Sequence, residues 1–395
     1  MSISDYFRGT PVAAVYEALT EGKENSYAQV LACHMTVIGV ASAGVEIVVP
    51  RTNRRIVPGL VCMCTSGNWK APCICCRVHL LDLFDSLQMS PNCNIIRLDL
   101  DQRFTDRLNE VVNDVSSPGV VMLDVPPMNY CRSPGETAGR AGMLAKVFRS
   151  TIVNDGNMEV PHLETPKFPV AYIAALPYVD LIDQYAAVIS LAGMQSRLVL
   201  FGGQEHECIS TFLANQEQGN VLQRGFGSVL KEFAEASSSL RAAGTPYQFT
   251  VAAEVLLYSS LREFCQVTDE QLLQPLNAAV MATRDTLVKL AVCWHNLRAV
   301  YLLMGSTNPG CSNSFETDVF ISLENVEAAA FLFRLSRQCQ TDLLLIYESL
   351  RCCFFVSVGH FNGQPSYRKK KPALVSGEDL ARFGVSVDEY DGQFR

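Results

Sequence analysis

Acidic residues close several apolar segments in the middle of the chain. Asp99 and Asp101 end one such segment and Asp124 ends the next. His206 follows a later segment and lies between two glutamates. Ligands bind beyond the carboxyl ends of parallel strands, and Mg²⁺ takes oxygen ligands while it bridges substrate phosphates. The pattern fits a Mg²⁺-dependent phosphate site in which the three aspartates hold the metal and His206 acts as acid or base. The favoured interpretation is that each aspartate caps the following helix and faces water.

The tetrapeptide Leu98-Asp99-Leu100-Asp101 resembles the Asp-x-Asp start of the haloacid-dehalogenase-type phosphotransferases. In that family the first aspartate is the nucleophile and the second is a general acid or base. The resemblance implies those roles for Asp99 and Asp101. It covers only this tetrapeptide, without the Thr or Ser, Lys and late acidic motifs of the family, and a single short motif has a high false-positive rate.

Closely spaced cysteines suggest a second kind of site. Cys62 and Cys64 stand in one apolar run, Cys73 and Cys75 stand in the next, and a Ser-Gly-Asn sequence typical of a hairpin loop separates the runs. Alternation along antiparallel strands would place each pair on one face, where four thiolates could bind a tetrahedral zinc ion. Zinc ligands are usually two to four residues apart, which lets the chain turn around the metal, and this spacing is shorter. Packed, uncharged thiols are therefore the favoured interpretation, and zinc is the alternative.

A concentrated run of basic residues, Arg368-Lys369-Lys370-Lys371, lies near the end of the sequence. Such a run fits a nuclear import signal or a contact with an anion or nucleic acid. The whole chain has a net charge of −8, which disfavours general electrostatic capture of nucleic acid. A nucleic-acid contact is therefore only a third alternative and is restricted to this run.

The spacing of the apolar residues changes along the chain and indicates a mixed α/β fold class. Apolar runs at 30–40 and 45–49 are interpreted as strands. Later runs that alternate with helical spacing predict a parallel α/β unit with strands at 94–100, 119–124, 170–176 and 197–201. Three- and four-residue spacing predicts long helices over 251–265, 272–304 and 325–350. The predicted regions are a β-rich meander with the cysteine hairpin (1–92), the α/β unit (93–218), a mainly helical region (219–362) and a polar tail (363–395).

The composition is unusually poor in charge. Asp, Glu, Lys and Arg make up 18% of the residues, although hydrophobic residues make up 48%. The usual charged fraction is about 25%. Such a chain has little charged material to cover its surface, and obligate interfaces are more apolar than free surface. The composition therefore favours self-association or a protein partner, with a neutral polar surface over a large core as the alternative.

The fifteen cysteines and the start of the chain bear on the compartment. The first residues have no basic region leading into an apolar core, so no signal peptide is expected. Several cysteines lie inside apolar runs, where free thiols behave as small hydrophobic groups. No apolar stretch approaches the ~20 residues of a membrane span. These features predict reduced thiols, an intracellular location in cytoplasm or nucleus, and no membrane partner.

Two functions of different kinds follow. The first is a non-enzymatic structural or interaction subunit of an intracellular assembly, because charge is low and the common hydrolase and zincin motifs are absent. Virus-encoded assemblies contain subunits of similar composition, which is an analogy only. The alternative is a Mg²⁺-dependent phosphoryl-transfer or nucleotide-handling enzyme that uses the strand-end carboxylates.

Overall fold

The computed structural model describes part of the chain, namely residues 27–41, 46–52, 54–65, 81, 83, 85, 95–99, 119–124, 152–153, 170–175, 196–202, 245–268, 278–304, 318–354, 357–361 and 364–367. The helices are α1 (Tyr27–Ala41), α2 (Val251–Cys265), α3 (Ala278–Met304) and α4 (Leu323–Phe354). The strands are β1 (Ile47–Val48), β2 (Arg55–Ile56), β3 (Val61–Thr65), β4 (Ile95–Asp99), β5 (Gly119–Asp124), β6 (Ile152–Val153), β7 (Val170–Ala175), β8 (Leu198–Gly202), β9 (Gln248–Phe249), β10 (Phe320–Ile321), β11 (Ser357–Phe361) and β12 (Gln364–Tyr367).

A five-stranded parallel sheet lies at the centre, in the order β4-β5-β7-β3-β8. Its strands are short apolar runs, as expected where both faces of a sheet are covered. The described side chains agree, because Ala171, Ile173 and residues 198–201 are buried. The four strands predicted between residues 94 and 201 are confirmed as β4, β5, β7 and β8. The crossover helices predicted between them lie outside the described residues.

Helix α1 packs between this sheet and α3, and it contacts β3, β5, β7 and β8 on one side. Every residue from 30 to 40 is buried. A helix that is apolar all round belongs in a protein interior. The prediction of a strand at 30–40 is therefore wrong. A continuous apolar run is compatible with a helix buried on all sides as well as with a strand buried on both faces.

The C-terminal half forms a helical layer in which α2, α3 and α4 pack against one another. Helix α2 starts at the N-cap Thr250, whose hydroxyl accepts a hydrogen bond from the Ala253 amide. Helix α4 also covers β8, which is an edge strand of the parallel sheet. The predicted long helices are confirmed in these three elements.

Short strands join the sheet and the helical layer. Strands β1, β2 and β6 form an antiparallel sheet, β9 pairs in parallel with β10, and β11 pairs antiparallel with β12. Tyr247 bridges β1 to the segment that leads into β9. The predicted N-terminal meander is wrong in two respects, since it contains α1 and its β3 belongs to the parallel sheet. The strands of that sheet come from both sides of residue 92. The predicted boundaries between the four regions of the chain stay predictions.

No helix within the described part of the chain has the length and apolarity needed to cross a membrane.

Candidate phosphate site at the carboxyl edge of the sheet

Asp99 and Asp124 lie at the carboxyl ends of neighbouring parallel strands. Asp99, the last residue of β4, is paired with Leu123 of β5, and Asp124 comes next in β5. Strands are about 4.8 Å apart and rise about 3.3 Å per residue, which places the two Cα atoms about 6 Å from each other. Asp99 and Asp124 are therefore close in the backbone at this edge, although they occupy strand positions of opposite parity. The convergence of their carboxylates stays a prediction.

The strand order creates a topological switch point beside Asp124. The chain leaves β3 for β4, at one edge of the sheet, and leaves β7 for β8, at the opposite edge. Strands β3 and β7 are neighbours, and the strands that follow them in the described part of the sheet lie at opposite edges. Asp124 is paired with Ala174 of β7.

The other residues of the predicted phosphate site, Asp101 and His206, lie outside the described residues. Asp101 follows β4 by two positions and His206 follows β8 by four, so the sequence attaches both to strands that end at this edge. Among the described side chains, no group of three or more His, Cys, Asp or Glu is placed to hold a metal. A Mg²⁺ ion that keeps its waters and binds phosphate needs only one or two protein carboxylates.

Sequence reasoning missed the contribution of β3 to this edge. Thr65 ends β3 in register with Gly202 of β8, next to the switch point. The sequence continues from Thr65 with Ser66, Gly67, Asn68, Trp69 and Lys70. Gly67 and Lys70, two and five positions after β3, are of the residue types that bind phosphate through backbone amides and an ammonium group. The hairpin interpretation of residues 66–68 concealed this signal.

Cys62 lies in the interior, and the hairpin predicted to assemble four cysteines is not formed by β3. Both edges of β3 are occupied, by β7 and β8 in parallel register, which leaves no edge for an antiparallel partner. Burial raises the pKa of the Cys62 thiol to about 12, although a hydrogen bond with Thr36 opposes the shift. Cys62 is therefore a packed neutral thiol. The Cys64 side chain, Cys73 and Cys75 lie outside the described residues, and zinc binding stays a prediction.

The basic run that begins at Arg368 starts immediately after β12 and lies outside the described residues as well. Its predicted contact with an anion or nucleic acid stays a prediction.

The chain matches no family model and resembles no curated protein.

Proposed function

We propose that the chain is a Mg²⁺-dependent nucleotide-handling or phosphoryl-transfer protein whose site lies at the carboxyl edge of the parallel sheet. The observation that carries the proposal is the pair Asp99 and Asp124 on adjacent parallel strands, next to the β3–β7 switch point. Open parallel sheets bind their ligands at this position.

The residues at this edge would have different roles in binding and catalysis. Asp99 and Asp124 would hold Mg²⁺, which bridges and neutralises phosphate oxygens during transfer. Gly67 and Lys70, which follow β3 in the sequence, would contact the phosphates. His206 would orient the attacking hydroxyl or water or accept its proton. Asp101 would take the second general acid or base position.

Nucleotide binding with and without Mg²⁺ tests the proposal. Isothermal titration of the full chain with ATP and with GTP should give binding that requires Mg²⁺, and phosphate release should be followed in parallel. Asp124→Asn should weaken Mg²⁺-dependent binding by about tenfold or more, because it removes a charged metal ligand. Glu327→Gln is the matched control, since it removes one negative charge from an exposed position on α4.

The proposal fails if neither nucleotide binds at millimolar concentration with Mg²⁺ present. It also fails if Asp124→Asn and Glu327→Gln bind equally well. Circular dichroism of both variants shows whether a loss of binding reflects a loss of fold.

A specific observation favours a second candidate function, an assembling interaction subunit. Among the residues that the structure describes, four large apolar side chains are exposed, with exposed fractions of 80% for Val251, 57% for Val255, 50% for Phe320 and 39% for Leu323. The parallel pairing of β9 with β10 continues through a hydrogen bond from the Thr250 amide to the Ile321 carbonyl. This pairing brings the start of α2 beside the start of α4. We call the four residues the apolar patch.

Apolar patches of this kind mark protein contacts. Light scattering on a size-exclusion column should therefore show an oligomer that dissociates in the double variant Val251→Asp/Phe320→Asp. The control Glu263→Gln changes an exposed residue of α2 outside the patch and should keep the oligomer. A monomeric wild-type chain at micromolar concentration would remove this second candidate.

A further inference from the structure

Basic side chains gather at the end of the sheet opposite to the carboxyl edge. Thr286 of α3 donates a hydrogen bond to the carbonyl of Ser196 at 2.9 Å, which holds the entry into β8 against α3. Arg197 comes next, and Arg284 and Lys289 lie on the same stretch of α3. The turn between β1 and β2 adds two further arginines. The basic cluster consists of Arg51, Arg54, Arg197, Arg284 and Lys289.

Two acidic groups act on this cluster. Asp285 pairs with Arg54 through both of its oxygens, at 2.9 and 3.4 Å. Glu254 acts on Tyr258, beside Arg51 and Arg284. The cluster gathers basic residues in a chain whose net charge is −8. A concentration of positive charge in an acidic protein is suited to an anion that carries several charges.

Arg284 is the most buried cation of the cluster and has an unpartnered donor. Its exposed fraction is only 7%, and its Nε has no hydrogen-bond partner in the part of the chain that the structure describes. A buried charged donor without an acceptor costs free energy. A guanidinium group matches a phosphate with two parallel N–H donors, so a bound phosphate would remove this cost.

Lys289 lies among charged groups of both signs. Burial lowers the pKa of its ammonium group to about 8, with the charges of Arg197 and Arg54 acting in the same direction and Asp285 opposing them. A lysine held in this way is stabilised by an added anion.

The turn that carries Arg51 and Arg54 is anchored before any ligand arrives. The Tyr258 hydroxyl donates a hydrogen bond to the Pro50 carbonyl at 2.7 Å, and the Arg51 guanidinium lies 4.2 Å from the centre of the Tyr258 ring. Arg51 itself has a φ of 54°, in the left-handed region that residues with side chains rarely adopt. A preorganised group of donors binds a ligand with a smaller entropic loss.

We propose that the basic cluster is a binding site for a small phosphate-bearing ligand, such as inorganic phosphate or pyrophosphate, with Arg54, Arg284 and Lys289 as its contacts. The site is separate from the carboxyl edge, because β8 has five residues and the Cα atoms of its ends are about 13 Å apart. It does not depend on the proposed nucleotide site.

Calorimetric titration of the full chain with inorganic pyrophosphate and with inorganic phosphate, without Mg²⁺ and at constant ionic strength, tests this proposal. Lys289→Met should weaken binding by about tenfold or more, because it removes one charged contact, and Arg284→Met should do the same. The control Arg334→Gln removes a positive charge that is exposed on α4 and paired with Glu263, and it should bind as the wild type does. Asp124→Asn should also bind normally, which separates this site from the carboxyl edge.

Thermal unfolding of each variant reports its fold, so that Lys289→Met remains informative if Arg284→Met fails to fold. The proposal is overturned if wild type and Lys289→Met bind pyrophosphate equally. It is also overturned if chloride at the same ionic strength raises the unfolding temperature of the wild type as much as pyrophosphate does. Binding to a single-stranded RNA oligonucleotide with none to phosphate or pyrophosphate would also overturn it, since the ligand would then be a macromolecule.

Discussion

His295 shows how the residues of this fold hold a titratable group in its neutral form. One ring nitrogen, Nε2, donates a hydrogen bond to the Asp318 carbonyl at 2.8 Å, and Nδ1 accepts one from the Asn325 amide at 3.0 Å. Burial lowers the pKa of the ring below 6.5, and the carbonyl of Asp318 only partly opposes this shift. The ring thus has partners that suit the neutral tautomer.

The consequence is a stability that depends on pH. The unfolded chain takes up a proton on His295 near pH 6.5, whereas the folded chain resists it, so the unfolded state binds more protons below that pH. The free energy of unfolding should therefore decrease as the pH falls through this range. Urea unfolding from about pH 5 to about pH 8 should show a smaller slope for His295→Gln than for wild type. Equal slopes in wild type and His295→Gln would contradict the assignment.

At the scale of elements, α4 completes the hydrogen bonding of an edge strand. Ser336 is buried, and its hydroxyl accepts a hydrogen bond from the Leu200 amide at 2.7 Å. Gln340 donates to the Leu198 carbonyl at 2.9 Å. Edge strands with open amides and carbonyls are prone to pair with other chains, and covering them with a helix prevents this pairing.

Ser336→Ala tests this role of α4. The substitution leaves the Leu200 amide buried without an acceptor, so the free energy of unfolding should fall by about 1–3 kcal/mol. The control Thr341→Ala removes an exposed hydroxyl that only bonds back to the Arg337 carbonyl of the same helix. Equal loss of stability in the two variants by urea unfolding would show that the bond to β8 is not what matters.

The contact of α1 with α3 depends on a glycine. A Cβ atom on Gly39 would lie 3.0 Å from the Cys293 sulfur and 3.6 Å from the Gly59 amide nitrogen. Gly39→Ala should therefore destabilise the protein by about 1–3 kcal/mol through overpacking, although alanine favours a helix by about 1 kcal/mol.

A double-mutant cycle separates these two effects. In the Cys293→Ala background the sulfur is gone, so Gly39→Ala should become neutral or stabilising in urea unfolding. If Gly39→Ala destabilises both backgrounds equally, the clash lies with another group.

The elements also show what could be read from the sequence. Strands such as β5 were predictable because a parallel strand buried on both faces is a short apolar run bounded by polar residues. The run at 30–40 gives the same local signal but belongs to α1, since burial on all sides removes the periodicity that distinguishes helix from strand. The place of β3 between β7 and β8 depends on pairings with residues more than 100 positions away, and local patterns do not encode it.

The same limit applies to the two proposed sites. The strand-end positions of Asp99 and Asp124 were predictable because each ends an apolar run, which is a local signal. The basic cluster could not be found, because its members come from a turn, a strand entry and α3, and only packing brings them together.

At the scale of the whole molecule, charge and apolar surface act against each other in self-association. Each copy carries a net charge of −8, so two copies repel at long range, whereas the apolar patch gains by leaving water. Salt screens the repulsion and does not weaken apolar contacts. An oligomer held by the patch should therefore become tighter as NaCl rises from about 50 mM to about 500 mM.

Sedimentation equilibrium across this salt range measures the effect, with the variant Val251→Asp/Phe320→Asp as a control that should stay monomeric throughout. Dissociation at high salt would contradict the role of the patch, because it would mean that ion pairs between copies hold the oligomer. In that case the residues of exposed salt bridges, such as Arg334 and Glu263, would be the first candidates for ion pairs between copies.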